Sequence, residues 1–160
     1  MDAQDYDPVE VARAARRLDL ALAGMHLDVA RRMDMTPAEL LALAHLAVDE
    51  ALSPGDLARR LRMRSGAITA LLDRLTEHGH IEREPHPSDR RRLVVRLTGA
   101  GRKEAMRHLG PMVRDVVALV ARLPEADRAT VGRFIDDLAE LVAGREQPET
   151  ASRQRARDAT

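Results

Sequence analysis

The side chains with reactive or ligand-binding chemistry in this 160-residue chain are six histidines, 26 acidic residues and 26 basic residues, with no cysteine. Without cysteine the chain has no disulfide, no thiolate metal ligand and no thiol nucleophile. The remaining groups do not fall at catalytic spacings: there is no glycine-rich phosphate loop, no His-Glu-x-x-His pair and no serine with a nucleophile signature. The sequence therefore predicts no catalytic residues and no enzyme.

Positively charged side chains are concentrated in the middle of the chain. The formal net charge is zero, but residues 54–107 carry 13 Lys+Arg against 7 Asp+Glu, a net of +6, and the rest of the chain carries −6. Lys103 is the only lysine, and the planar guanidinium of arginine suits phosphate and guanine edges better than an ammonium does. The middle of the chain therefore predicts a nucleic-acid partner.

Three helix starts are marked in the same way, by a side-chain acceptor, then proline, then an acid two residues later. The acceptors are Asp7, Thr36 and Ser53. These signals predict helices over about 8–32, 37–48 and 54–61. After a short break at 62–64, Ser65 is expected to cap a fourth helix that runs to about residue 78.

The fourth helix is expected to end at Gly79, which tolerates a left-handed backbone. Its apolar residues recur at i, i+3, i+4 and i+7 and predict one buried stripe, formed by Ile68, Leu71, Leu72 and Leu75. Beyond Gly79, residues 81–83 and 93–97 are predicted to be two strands of a hairpin, with residues 84–92 as its polar tip. A tight turn between two helices, followed by a charged hairpin, is typical of a winged helix-turn-helix.

Two further helices are expected at the C-terminal side. Thr98 is predicted to cap a long helix to about residue 123, Pro124 marks a turn, and an amphipathic helix then extends to about residue 143. Residues 144–160 are polar and are expected to be a disordered tail. The predicted fold class is mainly α with a small β-hairpin wing: a winged helix-turn-helix lobe plus a helical lobe.

The outward face of the fourth helix carries small side chains in its N-terminal half, so it can sink into a DNA major groove. Thr69 can present a hydroxyl and a methyl to base edges, and Arg74 can reach guanine or phosphate. The alternative is an ordinary surface helix rich in alanine.

Residues 56–98 resemble the DNA-binding lobe of the MarR (multiple-antibiotic-resistance regulator) family. The DRL-x-x-x-G pattern of the family's recognition helix is matched by Asp73-Arg74-Leu75 with Gly79, and the Asp-x-Arg motif of its wing by Asp89-Arg90-Arg91. The resemblance implies that Asp89 braces Arg91, which enters the minor groove. Arg90 and Arg92 are then expected to contact phosphates. Some members have arginine where Ala70 stands, so base reading here is expected to depend more on Thr69, Arg74 and the wing.

Helix face and resemblance together predict the DNA-binding residues Arg64, Ser65, Gly66, Ala67, Thr69, Ala70, Arg74, Asp89, Arg90, Arg91 and Arg92. The resemblance further implies one MarR-like unit over 8–143, with helical dimerisation parts at 8–35 and 108–143 and the winged helix-turn-helix at 36–107. A homodimer would place two recognition helices roughly 34 Å apart on a palindromic double-stranded operator. The alternative is that the apolar stripes of both helical parts pack within one chain.

His26, His45 and His108 are predicted on the first, second and fifth helices, which enclose an effector pocket in this family. They are expected to line that pocket for a small organic effector, with a divalent metal or no ligand at all as alternatives. No cofactor and no resident metal is predicted. A cytoplasmic protein without a membrane partner is expected, since no apolar run is long enough to span a bilayer. A third class, a winged helix used only for protein contacts, stays open.

Overall fold

The computed structural model describes residues 7–86 and 88–144, without the side chains of Arg90 and Arg91. Its elements in chain order are α1 (Pro8–Arg32), α2 (Pro37–Asp49), β1 (Ala51–Leu52), α3 (Pro54–Arg60), α4 (Ser65–Glu77), β2 (Ile81–His86), β3 (Asp89–Leu97), α5 (Gly99–Ala121) and α6 (Glu125–Gly144). The predicted fold class, mainly α with a small β-hairpin wing, is confirmed.

The chain forms two compact units that divide within α5, after Pro111. The division into 8–35, 36–107 and 108–143 that the resemblance implies stays a prediction. Gly144 is the last residue of α6, and the rest of the expected tail lies outside the described residues.

The three predicted helix caps are confirmed, and each accepts a hydrogen bond from the backbone N–H three positions later. These bonds are Glu10 to Asp7 at 2.8 Å, Glu39 to Thr36 at 3.3 Å and Asp56 to Ser53 at 3.1 Å. In each case a proline follows the cap. A side-chain acceptor satisfies one of the backbone donors that a helix start leaves unpaired, so these short sequences fix where each helix begins.

The predicted cap of α4 was wrong by one residue. Arg64, not Ser65, is the N-cap: its backbone is extended and its side chain makes no capping bond, while Ser65 is already helical. The backbone carbonyl of Arg64 accepts the first helical hydrogen bond, from Ile68 at 3.0 Å. The first turn of α4 therefore has no side-chain cap. Gly79, with φ of +70°, occupies the predicted left-handed position after the helix.

The core of the first unit lies between α2, α3, α4 and the sheet, and leucine dominates it. Its fully buried side chains include Leu43, Leu46, Leu57, Leu71, Leu75, Ile81 and Val95. The apolar stripe predicted for α4 is buried in full. Burial of large aliphatic side chains stabilises a fold by about 1.5–3 kcal/mol each. This core fixes α4 against α2 and the hairpin.

The sheet has three strands in the order β1-β3-β2, and β1 was not predicted. The hairpin is longer than predicted, since β2 continues to His86 and β3 begins at Asp89. Residues 84–86 and Asp89, which were expected in the loop, are therefore paired backbone. Pro85 is accommodated because β2 is an edge strand and its register shifts between Pro85 and His86.

Thr98 caps the start of α5, as predicted, and it also joins that start to the segment before β2. Its Oγ1 accepts a hydrogen bond from the Gly101 N–H at 2.9 Å and donates to the Gly79 carbonyl oxygen at 2.6 Å. Gly101 is buried, and a Cβ at this position would lie 1.9 Å from the carbonyl oxygen of His80. Only glycine therefore permits this approach.

Large apolar side chains remain exposed in the second unit. They are Val113, Val116, Val117, Leu119, Phe134, Ile135, Leu141 and Val142, and no residue of α6 is buried. In the first unit, α1 exposes Val9, Leu18 and Leu20. Within the described ranges, no helix combines the length and the apolar character needed to cross a bilayer.

Candidate nucleic-acid interface

The outward face predicted for α4 is exposed in the structure. Its exposed residues are Ser65, Gly66, Ala67, Thr69, Ala70, Asp73, Arg74 and Glu77, directly after the exposed Arg64. Because the opposite stripe is buried in the core, this face is presented by a rigid support. The DNA contacts assigned to it stay a prediction.

Two residues of this face differ in what they can offer a ligand. Thr69 donates its hydroxyl proton to the Ser65 carbonyl oxygen at 3.0 Å, so in this rotamer it offers a methyl group and oxygen lone pairs. Gly66 has open space where a Cβ would stand: apart from its chain neighbours and the backbone of its own helix, no atom lies within 4 Å. Packing within the chain therefore does not require glycine there.

Arg74 makes a contact that the sequence reasoning missed. Its Nε donates to Oε1 of Glu39 in α2 at 2.6 Å; the Arg74 side chain is 49% exposed and that of Glu39 only 8%. The two residues are 35 positions apart in the chain, so no local sequence pattern predicted their contact. Glu39 was noticed only as the acid after a helix cap.

The Glu39 carboxylate is held by donors on both of its oxygens. Besides Arg74, the Thr36 backbone N–H and the Thr36 hydroxyl each donate to Oε2 at 2.8 Å. Burial acts to raise the pKa of Glu39, but the Thr36 backbone bond and the Arg74 contact outweigh it and leave the pKa below its usual value. Glu39 is therefore a buried carboxylate that stays ionised.

A second ion pair joins α4 to the hairpin. Arg83 of β2 donates through a terminal guanidinium nitrogen to Oδ1 of Asp73 at 2.5 Å. On the hairpin itself, Arg96 of β3 lies 3.3 Å from Glu84 of β2. Asp73 was predicted on the outward face of α4 and matched as the first residue of the DRL motif, but its partner was not predicted.

The tip of the wing contains the predicted motif at the start of β3. Asp89 and Arg92 are exposed, and the Ser88 N–H donates to Nδ1 of His86 at 3.2 Å across the turn. The side chains of Arg90 and Arg91 lie outside the described part, so the Asp89–Arg91 brace and the minor-groove contact stay predictions.

Neighbours are identified for two of the three histidines assigned to an effector pocket, and the third, His26, is half-buried on α1. Burial, and next the charge of Arg60, lower the pKa of His45, against a smaller opposing effect of Asp49. His108 Nε2 lies 3.1 Å from Glu104 Oε1 on its own helix. In the part of the chain that is described, no three His, Asp or Glu side chains are arranged to hold a metal.

A small pocket of about 90 Å³ lies elsewhere in the first unit. It is lined by Met33, Asp34, Met35, Glu39, Leu75, His78 and His80. None of the three predicted effector histidines is among them, and their role stays a prediction.

Comparisons with known proteins converge on one family. The MarR family model matches residues 33–92, from the end of α1 to the wing. An HTH-type transcriptional regulator of Bacillus subtilis, YcgE, is 25% identical over 127 residues, which are 79% of this chain and 82% of the relative. A regulator of Mycobacterium leprae is 36% identical over 93 residues, which are 56% of this chain and 65% of the relative. The chain thus spans somewhat less than two thirds of that second relative.

Among solved structures, a single-residue variant of S. aureus MepR bound to an oligodeoxyribonucleotide matches with a TM-score of 0.53 at 19% identity, over 82% of this chain and 97% of that chain. At this identity the likeness concerns the fold. The family model, the sequence relatives, and the α3-turn-α4 unit with its hairpin agree. The resemblance of this chain to the MarR family of winged helix-turn-helix transcriptional regulators is therefore confirmed, and the family model covers residues 33–92.

Proposed function

We propose that this chain is a sequence-specific double-stranded DNA-binding regulator that acts as a homodimer on a palindromic operator, as a ligand-responsive repressor. The observation that carries the proposal is α4: a helix whose apolar side is fully buried and whose outward side presents small side chains. Such a helix fits a major groove, where base edges are distinguishable.

The start of α4 supports an approach to the DNA backbone. No side chain caps its first turn, so its N–H groups and the positive end of the helix can meet a phosphate, next to the exposed Arg64. Gly66 leaves the backbone uncovered at the same end. In this proposal Ser65, Ala67, Thr69, Ala70 and Arg74 face the groove.

The wing supplies the second contact. Asp89 braces Arg91 for the minor groove, and Arg90 and Arg92 contact phosphates on either side. The support is the excess of positive charge between residues 54 and 107, with three consecutive arginines at the hairpin tip. Each phosphate contact adds affinity that does not depend on sequence and is weakened by salt.

Homodimerisation is supported by apolar surface that each unit leaves uncovered. Eight large apolar side chains are exposed in the described part of the second unit, residues 112–144, and such patches mark association surfaces in proteins that are not embedded in membranes. In the first unit, α1 exposes apolar side chains of its own, Val9, Leu18 and Leu20. Two copies related by a two-fold axis would present two recognition helices to two half-sites.

Selection of bound duplexes from random DNA by the purified protein tests this function. We expect a palindrome whose half-sites are about one helical turn apart, with an affinity that falls steeply with salt. If no duplex is enriched, the proposal fails, and a winged helix that contacts only proteins becomes the better interpretation. An enriched half-site without its mirror copy would leave DNA reading intact but contradict the homodimer.

Ligand response is tested by reciprocity. An effector that weakens operator binding tenfold must itself bind about 1.4 kcal/mol more weakly to the operator complex. Titrating small aromatic acids, and separately zinc, with and without operator measures this difference. Equal affinity in both cases rejects derepression for that compound.

A further inference from the structure

Glu39 stands in an unusual place for a charged residue. It is buried beside the leucine core, on the first turn of α2, yet it contacts a half-exposed arginine of the proposed DNA-reading helix. A buried charge is costly unless it is fully paired. The Glu39 carboxylate is therefore kept in its charged form by the hydrogen bonds that Thr36 and Arg74 donate to it.

The position of the Glu39 carboxylate is fixed independently of Arg74. The capping box with Thr36 sets the side-chain rotamer, because Oε2 accepts both from the Thr36 N–H and from the Thr36 hydroxyl. Oε1 is then left directed at α4, where it accepts from Nε of Arg74. The carboxylate is a fixed point against which the guanidinium is oriented.

We propose that Glu39 is a positioning residue that orients the Arg74 guanidinium for DNA; this inference rests on the proposed function. An arginine fork reads guanine or phosphate only in a defined plane, and a flexible side chain loses rotamer freedom when it binds. The contact through Nε restrains that plane before DNA arrives, while about half of the side chain remains accessible. Glu39 itself does not touch DNA in this mechanism.

A purely structural role would make the pair a tether between α2 and α4. The buried leucines of these two helices already provide that attachment. The two roles differ in what they affect: a tether changes stability, whereas a positioning residue changes discrimination between DNA sequences, and only while Arg74 is present.

The test is a double-mutant cycle of Glu39→Gln and Arg74→Ala. For each protein of the cycle, the measured quantity is the ratio of its affinity for the selected operator to its affinity for a scrambled duplex. Glutamine keeps an acceptor for Thr36 and a similar volume. We expect Glu39→Gln to lower this ratio about tenfold, equivalent to about 1.4 kcal/mol, and to have no further effect when Arg74 is already alanine.

Glu50→Gln is the matched control, since Glu50 is an exposed acid in the same unit and its substitution changes the net charge equally. It should leave the ratio unchanged. An unchanged ratio in Glu39→Gln, or an equal loss with and without Arg74, overturns the inference.

Thermal unfolding shows whether Glu39→Gln folds. If it does not, Arg74→Lys is tested in its place. This variant keeps the charge but removes Nε, and a tenfold loss of discrimination is again expected; no loss overturns the inference. Failure of the wild-type protein to enrich any duplex would instead reject the proposed function. The two failures are therefore distinguishable.

Discussion

Arg83 of β2 donates to the carboxylate of Asp73 in α4 at 2.5 Å, so the hairpin and α4 are joined by a side-chain ion pair outside the core. Both side chains are partly exposed, and exposed pairs stabilise by about 0.2–1 kcal/mol. We expect Asp73→Ala and Arg83→Ala to show a coupling free energy in that range in urea unfolding. Strictly additive effects would show that the pair contributes nothing to stability.

Gly101→Ala is expected to destabilise the protein by at least about 1–3 kcal/mol, because the new Cβ would lie 1.9 Å from the His80 carbonyl oxygen. That oxygen cannot easily move, since it accepts from the Thr98 N–H at 3.0 Å. Thermal unfolding measures the loss. Gly99→Ala is the control, as nothing lies within 4 Å of its Cβ position; a similar loss in both variants would contradict the steric explanation.

Gly66→Ala is expected to leave folding intact and to weaken operator binding. The added methyl group meets no protein atom, so any effect on DNA arises from the outward face of α4. Gly132→Ala in α6 makes the same change in open space on another helix and should not alter binding. Unchanged operator affinity in Gly66→Ala would mean that the backbone does not approach the groove there.

The stability of the protein is expected to depend on pH through His45. Burial and the Arg60 charge lower its pKa in the folded state below the usual 6.5, so the unfolded chain binds the proton more readily. The contribution of neutral His45 to the free energy of unfolding is then fully present above pH 6.5 and is lost as the pH falls through the folded-state pKa of His45. His45→Gln should reduce this part of the slope in urea unfolding followed from pH 7.5 to 5. An identical slope in the variant would rule out His45 as its source.

Val117→Asp is expected to shift the protein from dimer to monomer in analytical ultracentrifugation. Val117 is 63% exposed in α5, within the apolar surface of the second unit, and a charge buried in an association surface is destabilising. Val48→Asp is the matched control, because Val48 is 81% exposed in α2 and lies outside the proposed dimer surface. Equal association of both variants would place the dimer interface elsewhere.

The sequence by itself determined the starts of α1, α2 and α3 and the buried side of α4. Asp7, Thr36 and Ser53 act on backbone groups three residues away, and the stripe from Ile68 to Leu75 follows the turn of one helix. These signals involve residues close together in the chain, so they can be predicted from the sequence without the tertiary structure. The motif from Asp73 to Gly79 carried the resemblance to the MarR family for the same reason, because its residues are close in the chain.

Tertiary structure decided what depends on residues far apart. β1 is two residues long and exists only because Val95 and Arg96 of β3 offer it a partner. Residues 84–86, predicted as part of a loop, became strand because their backbone could pair with β3 across the hairpin. The contact of Glu39 with Arg74 required the core to bring α2 and α4 together across 35 positions. Packing of the leucine core brings these groups together, and no pattern of neighbouring residues encodes it.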